Sequence, residues 1–80
     1  MESNKNKKET KRERFLRVAE SRTRKIIKMI RLLGNCANRS AYEYNEEDVK
    51  KIFNAIEREI KTAKSKFEEA VYKEEEFILK

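Results

Sequence analysis

Seven cationic side chains in the first half of the chain, Arg14, Arg17, Arg22, Arg24, Lys25, Lys28 and Arg31, have types and spacing suited to one chemistry, the binding of anions. Arginine and lysine neutralise phosphate oxygens, the first through a planar fork of N–H donors and the second as a point charge. Between Arg22 and Arg31 five cations fall within ten residues, with no acid among them. A face that only had to stay in water would mix its signs. The expected partner is nucleic acid, DNA or RNA undetermined, bound through phosphates with a strong dependence on salt. No zinc-finger, RNA-recognition or helix-turn-helix signature accompanies these residues, so recognition of base sequence is not expected. The plain alternative is a solvated helix face on which Glu13 pairs with Arg17, and Glu20 with Arg24, four residues apart.

A second concentration of unusual types follows at Asn35, Asn38, Arg39, Tyr42 and Tyr44. Arginine and tyrosine anchor protein interfaces and stack on exposed bases, which makes Arg39, Tyr42 and Tyr44 the candidates for contact with a protein partner. The same segment has a structural explanation, since asparagines end helices and tyrosines cover the open end of a hairpin.

Catalysis is not expected. The chain has no histidine, which removes Ser–His, Cys–His and imidazole–metal arrangements together. Cys36 is the single cysteine, so no intrachain disulfide and no thiolate metal cluster can form, and with only Arg39 nearby it is best taken as a small linker residue. Glu46, Glu47 and Asp48 are what the positive end of a helix dipole favours without any metal. No glycine-rich phosphate loop exists, and neither cofactor nor metal is called for.

These side chains need elements to position them. Leu16, Ala19, Thr23, Ile26, Ile30 and Leu33 recur at alternating spacings of three and four, and the basic residues repeat those spacings on the far side. A helix built from this stretch is apolar in front and cationic behind. Residues 1 to 33 carry 12 Lys and Arg against 4 Glu, and residues 34 to 80 carry 9 against 11, so the positive excess belongs to the first half. Charged residues make up 45% of the chain, with one Gly and no Pro, which is the composition of long amphipathic helices. The fold class expected is all-α. Eighty residues bury only about 60% of the surface of the unfolded chain, so stability is expected to be small.

Thr10 with Glu13 forms a capping box ahead of the first apolar positions, and Gly34 is a natural left-handed terminator, giving helix 1 over about 10–34. A helix that passes through Gly34 toward Ala37 is the alternative. Residues 1–9 form a basic tail, expected to be flexible. After a linker over about 35–45, Asn45 caps helix 2 over about 46–79, and Tyr44 can staple onto Val49. Val49, Phe53, Ile56, Ile60, Ala63, Phe67, Ala70 and Phe77 form its seam, with Glu74 the one interruption, and Ile52, Val71 and Ile78 widen the stripe.

A linker of this length folds the helices into an antiparallel, coiled-coil-like hairpin over residues 10–80, with Leu33 near Val49, Ile26 near Ile56 and Leu16 near Phe67. The basic start, including Lys7, Lys8, Lys11 and Arg12, then comes alongside Glu68, Glu69, Glu74, Glu75 and Glu76. Ile27, Met29, Ile52, Phe53 and Val71 cannot all face one partner helix, so dimerisation into a four-helix bundle is expected, with a protein partner as the other way to cover them. No run approaches a membrane span and no secretion signal is evident, so no membrane is involved and the setting is cytoplasmic.

The stretch RLLGNCANRSAYEYNEEDVKKIFNAIEREI, residues 31 to 60, resembles the central segment of short, functionally uncharacterised bacterial proteins, some of them from mobile elements. The resemblance implies a bacterial or phage setting. It implies no activity and assigns no functional residues.

Overall fold

Two amphipathic sequences with strong start signals produce two helices in the computed structural model, which describes residues 8 to 79 and, along the last helix, side chains only as far as Glu74. The expected tail therefore lies outside the described residues up to residue 7, as do the side chains of Glu75, Glu76, Phe77 and Ile78. The protein is all-helical, and no strand occurs among the described residues. It divides into two units, Met1–Tyr42 and Glu43–Lys80.

The first unit contains α1, Lys11–Gly34, continued by one 3-10 turn over Asn35–Ala37. Helix α1 starts where it does because Thr10 leaves its backbone extended, with φ −76° and ψ 167°, and closes a capping box. The Glu13 amide donates to Thr10 Oγ1 at 3.0 Å while the Thr10 amide donates to Glu13 Oε1 at 3.0 Å, so two otherwise orphaned donors are satisfied reciprocally.

The end of α1 differs from the expectation at Gly34. That residue has φ −60° and ψ −28°, ordinary right-handed backbone, and Asn35 follows it at φ −68° and ψ −16°. No left-handed residue terminates the helix, because the last carbonyls find another solution. The Asn35 amide is shared among the carbonyls of Arg31, Leu32 and Leu33, and the helix tightens into its 3-10 turn. Asn38 is the actual stop. Its ψ of 103° leaves the helical region, and its side-chain Oδ1 accepts from the Ser40 amide at 3.1 Å and from Ser40 Oγ at 2.7 Å. Its carbonyl accepts from the amides of Ala41 and Tyr42, so a short asparagine side chain has out-competed continuation of the helix.

The second unit is α2, Glu46–Leu79, which opens on Glu46, Glu47 and Asp48. Asn45 and Asp48 reproduce the reciprocal cap in another chemical form. The Asp48 amide donates to Asn45 Oδ1 at 2.8 Å and the Asn45 amide to Asp48 Oδ2 at 2.9 Å. With no Gly or Pro in its length, nothing interrupts the helix after that.

Neither helix buries a side chain among the described residues. The most covered are Val18, Ala19, Leu33, Tyr44 and Ile56, each only partly shielded. Most helical stability in proteins comes from packing an amphipathic face, and each unit taken by itself leaves its apolar stripe uncovered.

Candidate nucleic-acid interface

All seven predicted cations lie on α1, and all are exposed. At about 100° per residue, Arg14, Arg17, Arg24, Lys25, Lys28 and Arg31 fall within about a third of the helix circumference, opposite Leu16, Thr23 and Ile30. That row runs about 25 Å along the axis. By the same reckoning Arg22 leaves the row and sits at the border of the apolar stripe, between Val18 and Met29. Arg12 is likewise turned toward the apolar side, with its guanidinium carbon 5.9 Å from the centre of the Phe15 ring.

The six cations of the row are not electrostatically alike. Arg17 is held by Glu9, with Nε donating at 2.6 Å and a terminal nitrogen at 2.9 Å to the two carboxylate oxygens. Arg14 approaches the same carboxylate at 3.9 Å. Arg24 donates to Glu20 at 2.7 Å across one helical turn. Lys25, Lys28 and Arg31 have no ionic partner among the described residues. The bare end of the row is therefore its C-terminal half.

Of the two pairs in the plain alternative, Glu20–Arg24 is formed and Glu13–Arg17 is not, and the cap explains why. Glu13 turns back to the Thr10 amide, which takes its carboxylate away from Arg17. Glu9, just ahead of the cap, is carried over the first turn and replaces it. The hydrogen bond from Arg17, helped by the charges of Arg17 and Arg14, holds the Glu9 carboxyl below its ordinary range, and Glu9 in turn raises Arg17. Sequence pattern missed Glu9 because it lies among the tail residues. The available signal was its place as the acid immediately before a capping threonine.

Arg39 and Tyr42 stand on the turn that follows α1, both exposed, and Tyr44 is half-buried in the second unit ahead of Asn45. Cys36 is a free, exposed thiol in the 3-10 turn. Among the described residues no three His, Cys, Asp or Glu side chains gather closely enough to hold a metal ion, and no helix is long and apolar enough to cross a membrane. Comparison with known proteins found no matching family model, no matching curated protein and no matching solved structure.

Proposed function

We propose that this is a small, non-enzymatic nucleic-acid-binding protein that engages phosphates through the cationic face of α1, in a cytoplasmic, bacterial or phage setting. The observation that supports this most is the run of exposed cations at Lys25, Lys28 and Arg31, unpaired among the described residues, on the side of the helix away from its apolar stripe. A duplex presents about one negative charge per 1.7 Å of axis, so a row about 25 Å long meets phosphates along its whole length whatever their exact register. Arg14, Arg17 and Arg24 extend the same row at its other end, partly satisfied by their own carboxylates. An accessory or regulatory role suits a binder of this size that lacks any base-reading signature.

The assembly belonging to this reading is an antiparallel hairpin of α1 and α2, paired with a second copy as a four-helix bundle that leaves the cationic faces outward. It is supported by large apolar side chains left in water, such as Ile26 at 57%, Met29 at 62% and Phe67 at 61% exposure.

Duplex and single-stranded DNA and RNA titrated at several salt concentrations test the binding claim. Four to six phosphate contacts give log K against log salt a slope of about −4 to −5 on duplex DNA. A slope near zero, or no binding at low salt, rejects it.

A second reading is favoured by the same uncovered apolar surface together with the exposed Arg39 and Tyr42: an interaction module that acts as an inhibitor or adaptor on a larger protein. Binding to a defined protein that is lost on changing Arg39, Tyr42 or Tyr44, yet survives charge reversal of Lys25, Lys28 and Arg31, selects that reading over the first.

A further inference from the structure

The seam of α2 carries charges along its two edges in a pattern that specifies a partner. Glu57 and Lys64 lie on one edge, and Glu59 and Lys66 lie on the other. On each edge the acid precedes the base by two turns, about 10 Å, which is too far for the pairing of neighbours three or four residues apart. All four side chains are exposed, and none forms an ion pair among the described residues.

A second α2 running in the opposite direction, about an axis between Ile60 and Ala63, brings each edge against the same edge of its partner. Glu57 then faces the partner's Lys64, Glu59 faces the partner's Lys66, and the twofold axis repeats both contacts. Two of the seam layers set a large side chain against a small one, and a third sets two large ones together. Phe53 falls opposite the partner's Ala70, Ile60 opposite the partner's Ala63, and Ile56 opposite the partner's Phe67. The stems of Lys50 and Lys73 cover Val71 and Ile52 at the margins. Glu74, the one acid in the seam, meets the partner's Val49 at the open end, beside the positive end of the partner helix.

The parallel arrangement does worse on each count. It sets Glu74 against the partner's Glu74 inside the seam, leaves Ala63 and Ala70 each facing another alanine, and retains only the pairing of Glu59 with the partner's Lys64. Like charges at a seam position repel and facing alanines leave unfilled space, so the antiparallel partner is the one this face fits.

We infer that the α2 face is a self-complementary docking surface whose occupant is α2 of a second copy, antiparallel about an axis between Ile60 and Ala63. This rests on the two-copy reading above but not on its intrachain hairpin, since a second α2 that takes both edges leaves α1 no place on the same seam. Full-length protein with Cys36→Ser receives one new cysteine at a time and is oxidised under mild conditions. A mixture of Phe53→Cys and Ala70→Cys chains is expected to link to each other, and Ala70→Cys alone is expected not to link.

A self-linked Ala70→Cys chain, or failure of the mixed pair, overturns the inference. Charge exchange provides a second measurement that leaves the seam intact. Glu57→Lys with Glu59→Lys is expected to weaken association at least tenfold, and adding Lys64→Glu with Lys66→Glu is expected to restore it; no weakening, or no restoration, counts against the inference. Light scattering separates the two levels. Monomer at every concentration removes the two-copy assembly and this inference with it, whereas dimer mass with the wrong linkage removes only the antiparallel seam.

Discussion

A guanidinium that already holds a carboxylate must release it, or share it, before it can bind a phosphate. Arg17 and Arg24 are in that position, held at 2.6 Å and 2.7 Å, while Lys28 and Arg31 are bare among the described residues. Equal numbers of charges therefore predict unequal contributions. Lys28→Ala and Arg31→Ala are each expected to weaken nucleic-acid binding for all sequences alike and to reduce the salt slope by about 1. Glu9→Gln is expected to strengthen binding by freeing Arg17 and removing a negative charge from the row, and equal or weaker binding in the same titration would contradict the assignment.

Glu9 also gives the start of α1 a pH dependence with a definite sign. Its carboxyl is held down by the Arg17 hydrogen bond and by the Arg17 and Arg14 charges, so it stabilises the folded start at pH above the ordinary carboxylate range. That contribution is lost as pH falls through the lowered value. The Arg17 Nε–H resonance followed against pH is expected to shift with a midpoint below 4.5, the ordinary value for this carboxyl. A midpoint at or above that value would mean the pair does not persist in solution.

Individual elements show which sequence signals have one physical outcome and which have two. Thr10 with Glu13 and Asn45 with Asp48 are local devices, each made of a side-chain oxygen and an amide three residues away, so the helix starts were legible without any tertiary information. Gly34 was ambiguous because glycine permits left-handed backbone without requiring it. The chain keeps it right-handed and lets Asn38 end the helix through Ser40. A methyl group built at Gly34 meets nothing within 4 Å. Gly34→Ala is therefore expected to stabilise α1 by about 0.5–1 kcal/mol, through helix propensity and a less free unfolded chain. Thr10→Ala is expected to destabilise it by about 1 kcal/mol. Thermal melting followed by circular dichroism checks both, and a destabilised Gly34→Ala chain would show that a left-handed stop is used after all. The cationic row was legible in the same local way, as spacing on one helix. Arg22 was not, because a count of charges within ten residues ignores which way each one turns.

Periodicity in one chain announces that a face will be covered and is silent about what covers it. Helices of 24 and 34 residues with no buried side chain among the described residues have little to hold them except propensity, caps and whatever docks on their stripes. If a second copy supplies that cover, folding and association are one equilibrium, and stability must follow concentration. Each tenfold dilution then shifts a dimer's association by about 1.4 kcal/mol, so helicity and melting midpoint are expected to fall together on dilution. Nucleic acid added at low salt is expected to raise the midpoint, and added salt to abolish that rise without abolishing the dependence on concentration, if phosphates meet the cationic face and the second copy meets the apolar one. A melting midpoint constant over a hundredfold range of concentration, with monomer mass throughout, would show that each chain covers its own stripes and would leave the cationic row of α1 as the only surface offered to a partner.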